Sequence, residues 1–267
     1  MISFVGAGPG APDLLTLRGA DRLARAAVVV WASSLVPEEV LVHVDAGAVV
    51  HDSAGMTFED VAGVYSSVGE TARVVRLHSG DVSLYSAVQE QVDWCVAAGR
   101  EFEIVPGVGS LAAAAALLGR ELTVPGVAQS VVSTRLPGRT AASMPPGETV
   151  AAFASHRTTL AVYLSAARPI QLVEELLDGG RGYPPDTPAA FVVRASWPDE
   201  RVVLTTVGGL ADAMAADGAR TAALVLVGPA LAGAAPRCHL YDPGYAHGYR
   251  RRSLPGTTAG RPTGATP

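Results

Sequence analysis

Short valine-rich runs alternate with amphipathic stretches along the chain, and each run in the first half is followed by a tight, small-residue loop. SFVGAG (3–8) leads into LLTLRGADRLARA (14–26), and AAVVVWA (26–32) precedes FEDVAGVYSSVGE (58–70). ARVVRLHSGD (72–81) leads into YSAVQEQVDWCVAAG (85–99), and EFEIVPGVGS (101–110) into SLAAAAALLG (110–119). Apolar runs of strand length between segments of helical period imply β-α-β units, with a parallel sheet and ligands at the carboxyl ends of its strands.

LTVPGVAQS (122–130) interrupts the pattern. Beyond it SVVSTR, TTLAVYLSA, AAFVVRAS, RVVLTTV and AALVLVG read as strands, with helices at IQLVEELLDGG and LADAMAADG. Several links there are short, which predicts a mixed second sheet. The expected organisation is an N-terminal α/β domain at 1–117, a linker at 118–126 and a C-terminal α/β domain at 127–235. A tail follows at 236–267. Its end, LPGTTAGRPTGATP (254–267), is rich in Gly, Pro and Thr and is expected to be disordered.

Hydrophobic residues make up 49% of the 267, enough for a large core. No apolar run approaches the length of a membrane span, and the start carries no basic segment ahead of an apolar one. The net charge of −5 and the lack of a basic stripe argue against nucleic acid as a partner. All 20 basic residues are arginine, so lysine chemistry is excluded and carboxylate clamping is not. Cys95 and Cys238 lie far apart without metal-ligand spacing. They suggest neither a disulfide framework nor a metal site, and a cytoplasmic location is expected.

The glycines of VGAGPGAPD (5–13) raise the possibility of a dinucleotide loop. Pro9 and Pro12 remove two of the N–H donors that would face a pyrophosphate, and Trp31 and Ser33 stand where an acid should meet the ribose. Two further loops share the small-residue character. His78-Ser79-Gly80-Asp81-Val82-Ser83-Leu84-Tyr85 offers a turn at Gly80, with Asp81 able to cap through the N–H of Ser83 or Leu84. Val105-Pro106-Gly107-Val108-Gly109-Ser110 enters an alanine-rich helix. Loops of this kind at successive strand ends leave room for a ligand against the backbone.

Three stretches, VGAGPGAPDLLTLRG (5–19), RLHSGDVSLY (76–85) and VPGVGSLAAAAALLGREL (105–122), resemble the tetrapyrrole methylases. These enzymes transfer methyl groups from S-adenosylmethionine in cobalamin and sirohaem synthesis. The resemblance continues in order through VYLSA (162–166), GYPPDTPAAFVVRASWPDE (182–200) and TAALVLVGPAL (221–231). Four stretches most resemble the branch that methylates precorrin-4 at carbon 11, giving precorrin-5. They are VVWASSLVPEEVL (29–41), HDSAGMTFED (51–60), LTVPGVAQSVVSTRLPGRT (122–140) and RASWPDERVV (194–203). In two places the chain departs from the family. Val82 replaces the usual proline after Gly-Asp, and Gly109 stands where many relatives carry a hydroxyl.

The resemblance implies an α/β fold of two domains with the donor in the cleft between them. S-adenosyl-L-methionine would bind along Gly80, Asp81, Val82, Leu84 and Tyr85, beside Gly109 and Ser110. Leu164, Ala195, Thr221 and Ala222 of the second domain would hold the adenine end. Gly8, Pro9 and Gly10 would face the tetrapyrrole, and Arg135 and Arg139, with Arg18 and Arg76 as weaker choices, would meet its carboxylates. His78 and His51 are candidates for a base that removes a proton after methyl transfer. The family also implies a homodimer. Alternatives are methylation at another carbon, an acceptor carrying cobalt, a relative acting on RNA or protein, a donor-binding module without turnover, and a dinucleotide oxidoreductase.

Overall fold

The valine-rich runs of the first half assemble into one sheet in which every neighbour is parallel. The structure, a computed structural model, describes residues 1–138, 141–233, 237–251 and 253. Strands β1 (Ile2–Gly6), β2 (Val28–Trp31), β3 (Val49–Asp52), β4 (Val74–His78) and β5 (Phe102–Val105) lie in the order β3-β2-β4-β1-β5. Helices α1 (Leu17–Ala24), α2 (Phe58–Ser67) and α3 (Val88–Ala97) link them. Strand β1 is buried throughout because successive side chains point to opposite, covered faces. Val5, Val29, Val75 and Leu77 pack with Leu23 of α1, while Ile2, Phe4, Val28 and Val74 pack with Val61, Tyr65 and Cys95 of α2 and α3.

Local chemistry sets the helix ends. Thr16 caps α1 by accepting from the Gly19 N–H at 3.1 Å. Thr57 and Asp60 close a reciprocal capping box on α2. The helix expected from Tyr85 starts only at Val88, because Tyr85 and Ala87 hold φ of 55° and 51°. Strand β3, an edge strand with Val49 and Val50 exposed, was not expected from the sequence.

Helix α4 (Ser110–Leu118) leaves the first sheet and ends at Gly119, whose φ is +59°. Its Ala113 and Ala114 pack not on the first sheet but on Ala161, Ala190, Leu224 and Leu226 of the second. That sheet runs β6-β7-β10-β8-β9, formed by β6 (Val131–Arg135), β7 (Thr159–Tyr163), β8 (Pro188–Val193), β9 (Arg201–Thr206) and β10 (Ala223–Val227). It is mixed as expected: β6 and β7 are parallel and the other pairs antiparallel. Helices α5 (Val150–Ala154), α6 (Pro169–Leu177) and α7 (Leu210–Asp217) cover its opposite face around Leu160, Val162, Phe191 and Val225. Among the described residues no helix is long and apolar enough to cross a membrane. The expectation for 254–267 falls outside the described residues.

Candidate active site

Three loops at the carboxyl ends of β1, β4 and β5 meet through bare backbone. A Cβ placed on Gly107 would lie 2.3 Å from the Gly80 carbonyl oxygen and 2.7 Å from the Gly6 Cα, so no side chain fits there. Gly8 and Gly80 form an antiparallel bridge, with the Gly80 N–H donating to the Gly8 carbonyl at 2.8 Å. Asp81 completes the junction. Its carboxylate accepts from the Gly107 N–H at 2.8 Å, from the Ser83 N–H at 2.9 Å and from the Ser83 hydroxyl. Burial raises its pKa, but the bonds from Ser83, Gly107 and Val82 outweigh this and hold it below the usual carboxylate range. Asp81 thus ties two loops together as an anion and caps no helix.

The second sheet faces this junction. Tyr85 packs against Tyr163 of β7 with ring centroids 4.9 Å apart and planes tilted by 51°. Burial raises the pKa of the Tyr163 hydroxyl, and Ser110 and Leu111 at the start of α4 act on it in the opposite direction. Leu84, Tyr85 and Leu164 remain 43%, 48% and 62% exposed. Tyr85, Leu164 and Ala222 hold φ of 55°, 53° and 51°, a conformation L residues adopt at a cost. Such strain clusters where a ligand is clamped. Gly80 and Gly109 are less crowded than Gly107: a Cβ on either would make only ordinary van der Waals contact, at 3.6 Å and 3.9 Å. Exposed apolar side chains beside glycine backbone suit an adenosyl group. Next to the first loop a cavity of about 500 Å³ opens between Gly10, Asp13, Pro37, Trp197 and Glu200.

The sequence model of the Tetrapyrrole (Corrin/Porphyrin) Methylases matches residues 1–211. The chain belongs to this family. Over 253 residues the methylase is 45% identical to a precorrin-4 C(11)-methyltransferase of Sinorhizobium sp, covering 94% of this chain and 98% of that protein. A solved cobalt-precorrin-4 methyltransferase of cobalamin biosynthesis superposes with a TM-score of 0.81 at 41% identity, over 86% of this chain and 95% of that one. A uroporphyrin-III C-methyltransferase from Thermus thermophilus, solved with S-adenosylhomocysteine, gives a TM-score of 0.70 at 30% identity, over 86% and 98% of the two chains.

The methylase brings most of the residues expected from its sequence to this one region. Gly8, Pro9 and Gly10 are buried in the first loop, and Val82 is buried beneath the second. Ala195 is buried just after β8, while Thr221 and Ala222 are exposed just before β10. Arg135 ends β6 opposite Tyr163 and donates to the Ser143 hydroxyl at 2.8 Å, and its charge reaches Tyr85. Arg139 lies outside the described residues. Arg18 is exposed on α1.

Of the candidate bases, His51 lies off the loop junction, and His78, whose backbone pairs with Gly6 and Ala7 there, has its ring buried. His51 sits on edge strand β3, with β2 and β4 between it and β1. His78 is 6% exposed, and its Nε2 has no partner among the described residues. Burial, then the charge of Arg76, pull its pKa down to about 3. A base so weak and so enclosed is poorly suited to take up a proton, and the expectation of a catalytic base at His78 is not retained. Arg76 is itself largely enclosed, and burial lowers its pKa. It donates to the Ser53 hydroxyl at 2.6 Å rather than reaching outward. Trp197 and Ser196, which touch the first loop, were missed as site residues. Their only signal was the segment RASWPDE, to which the sequence alone assigned no contact.

Proposed function

We propose that this methylase transfers a methyl group from S-adenosyl-L-methionine to carbon 11 of precorrin-4, giving precorrin-5 and S-adenosyl-L-homocysteine. The observation that carries this reading is the bare-backbone junction of Gly6, Gly80 and Gly107, flanked by the strained, exposed Tyr85, Leu164 and Ala222. The choice of acceptor is supported by the 45% identity to the Sinorhizobium enzyme along nearly its whole length.

When bound, the donor supplies a methyl group already activated on a sulfonium. The protein's task is then to bind, orient and exclude water. Gly80, Asp81, Val82, Leu84 and Tyr85, with Gly109 and Ser110, would hold the methionine and ribose end. Leu164, Ala195, Thr221 and Ala222 would hold the adenine. Gly8, Pro9 and Gly10 would carry the flat face of the acceptor, whose electron-rich carbon is the nucleophile. Orientation alone is worth up to about 7–11 kcal/mol, so the reaction needs no activated side chain. Arg135 and Arg139 would pair with acceptor carboxylates at roughly 0–1 kcal/mol each.

A second reading, an acceptor carrying cobalt, is favoured by the 0.81 TM-score to a cobalt-precorrin-4 enzyme. Incubation of the protein and S-adenosyl-L-methionine with precorrin-4, and separately with cobalt-precorrin-4, distinguishes the two. A one-methyl mass gain with NMR assignment to carbon 11 is expected for one acceptor. Methylation elsewhere, or donor binding with no turnover on either, overturns the reading. The protein would act as a cytoplasmic homodimer on a small-molecule substrate without nucleic acid. Support comes from the family resemblance, the net charge of −5 and free Cys95 and Cys238. Light scattering during size-exclusion chromatography tests the dimer.

A further inference from the structure

The turn between β8 and β9 grips the first loop at three points to which the proposed reaction assigns no role. The Trp197 indole Nε1 donates to the Pro9 carbonyl at 2.9 Å. Its ring lies so close to Gly10 that a Cβ there would fall 2.2 Å from Cδ1. The Ser196 hydroxyl accepts from the Ala11 N–H at 3.0 Å.

The turn is itself held stiffly. Arg194 and Ser196 sit at φ of 49° and 67°. The Arg194 guanidinium lies 5.2 Å from the centroid of the Trp197 ring while paired with Asp199 at 2.7 Å. The Ser196 N–H donates to Glu200 at 2.7 Å, and the Arg194 N–H to the Ala222 carbonyl at 2.8 Å. One short segment therefore runs from Ala222 and Ala195 at one end to Pro9 and Gly10 at the other.

We infer that Trp197 is a positioning residue for the acceptor: it fastens the Gly8–Gly10 loop to the turn carrying Ala195. The inference rests on the proposed reading, in which the donor's adenine lies at Ala195 and Ala222 and the tetrapyrrole on the first loop. Methyl transfer between two large partners depends on their relative placement, and small misplacements are costly in rate. The indole N–H fixes the Pro9 carbonyl, and the ring fixes Gly10. The Arg194–Asp199 pair keeps the ring from turning away. Trp197 touches no reacting atom; it acts through the loop that does.

Trp197→Phe keeps an aromatic ring against Gly10 and deletes the indole donor. A fall of about three- to tenfold in kcat/KM for the tetrapyrrole is expected, carried mainly by kcat, in line with one lost hydrogen bond. The Kd for S-adenosylhomocysteine should stay within about twofold of wild type, and the unfolding midpoint should fall only slightly, in line with one lost hydrogen bond. Trp197→Ala should deepen the kcat loss with the same pattern. An unaltered kcat/KM in Trp197→Phe overturns the inference. So does an equal loss of S-adenosylhomocysteine affinity, since that marks general packing. Wild-type protein that neither binds S-adenosylhomocysteine nor methylates a tetrapyrrole overturns the functional reading, and this inference with it.

Discussion

His78 lies two residues beyond Arg76 on β4, so both side chains emerge on the same face of the sheet. The ring is neutral in the folded protein, with a pKa near 3, whereas an unfolded histidine takes up a proton below about 6.5. The unfolded state therefore binds more protons between these values, and stability falls as pH drops through that window. Above pH 6.5 the effect is absent. His78→Gln removes the titration, so its urea unfolding free energy should vary less between pH 6.5 and 4 than that of wild type. Parallel pH profiles would show that His78 titrates normally. The residue was picked out as a base because its place at a strand end was readable. Its burial under α2 and α3, which decides its chemistry, is a tertiary property that no local pattern carries.

At the level of elements, the junction of Gly6, Gly80 and Gly107 joins segments far apart in the chain. Gly107→Ala would drive a methyl group into the Gly80 carbonyl, with backbone on all sides and no flexible side chain to yield. A stability loss of at least about 2 kcal/mol is expected in urea unfolding. Gly109→Ala, with nothing nearer than 3.9 Å, should cost far less by the same measurement. The repeating loops and the alternation of strand and helix were legible because each is a local pattern. Strand β3 was not: its four residues leave Val49 and Val50 exposed, and pairing with β2 defines it. The start of α3 was read early because YSAVQ has helical spacing, while Tyr85 and Ala87 are held left-handed by loop contacts. Helix α4 was assigned to the first domain by its place in the chain, yet its buried alanines rest on the second sheet. A helix that is apolar on nearly every side, SLAAAAALL, has no directional signature from which its partner could be read.

Taken whole, the proposed donor site has two walls, one from each sheet, with α4 following the last strand of the first sheet and packing on the second. A ligand that binds only the folded form stabilises it by about 2.7 kcal/mol at a concentration of 100 times Kd. For a chain of this size that corresponds to a rise in Tm of several degrees. S-adenosylhomocysteine should produce such a rise and should slow amide exchange most in α4 and in the 79–87 loop. Protection confined to the second sheet would contradict a site shared by both walls. Helix α4 starts from the Gly109 loop and seats Ala113 and Ala114 against β7, β8 and β10. One short helix therefore carries both Ser110 and the alanines seated on the second sheet, so Ser110 is held in register with that sheet rather than with the strand it follows.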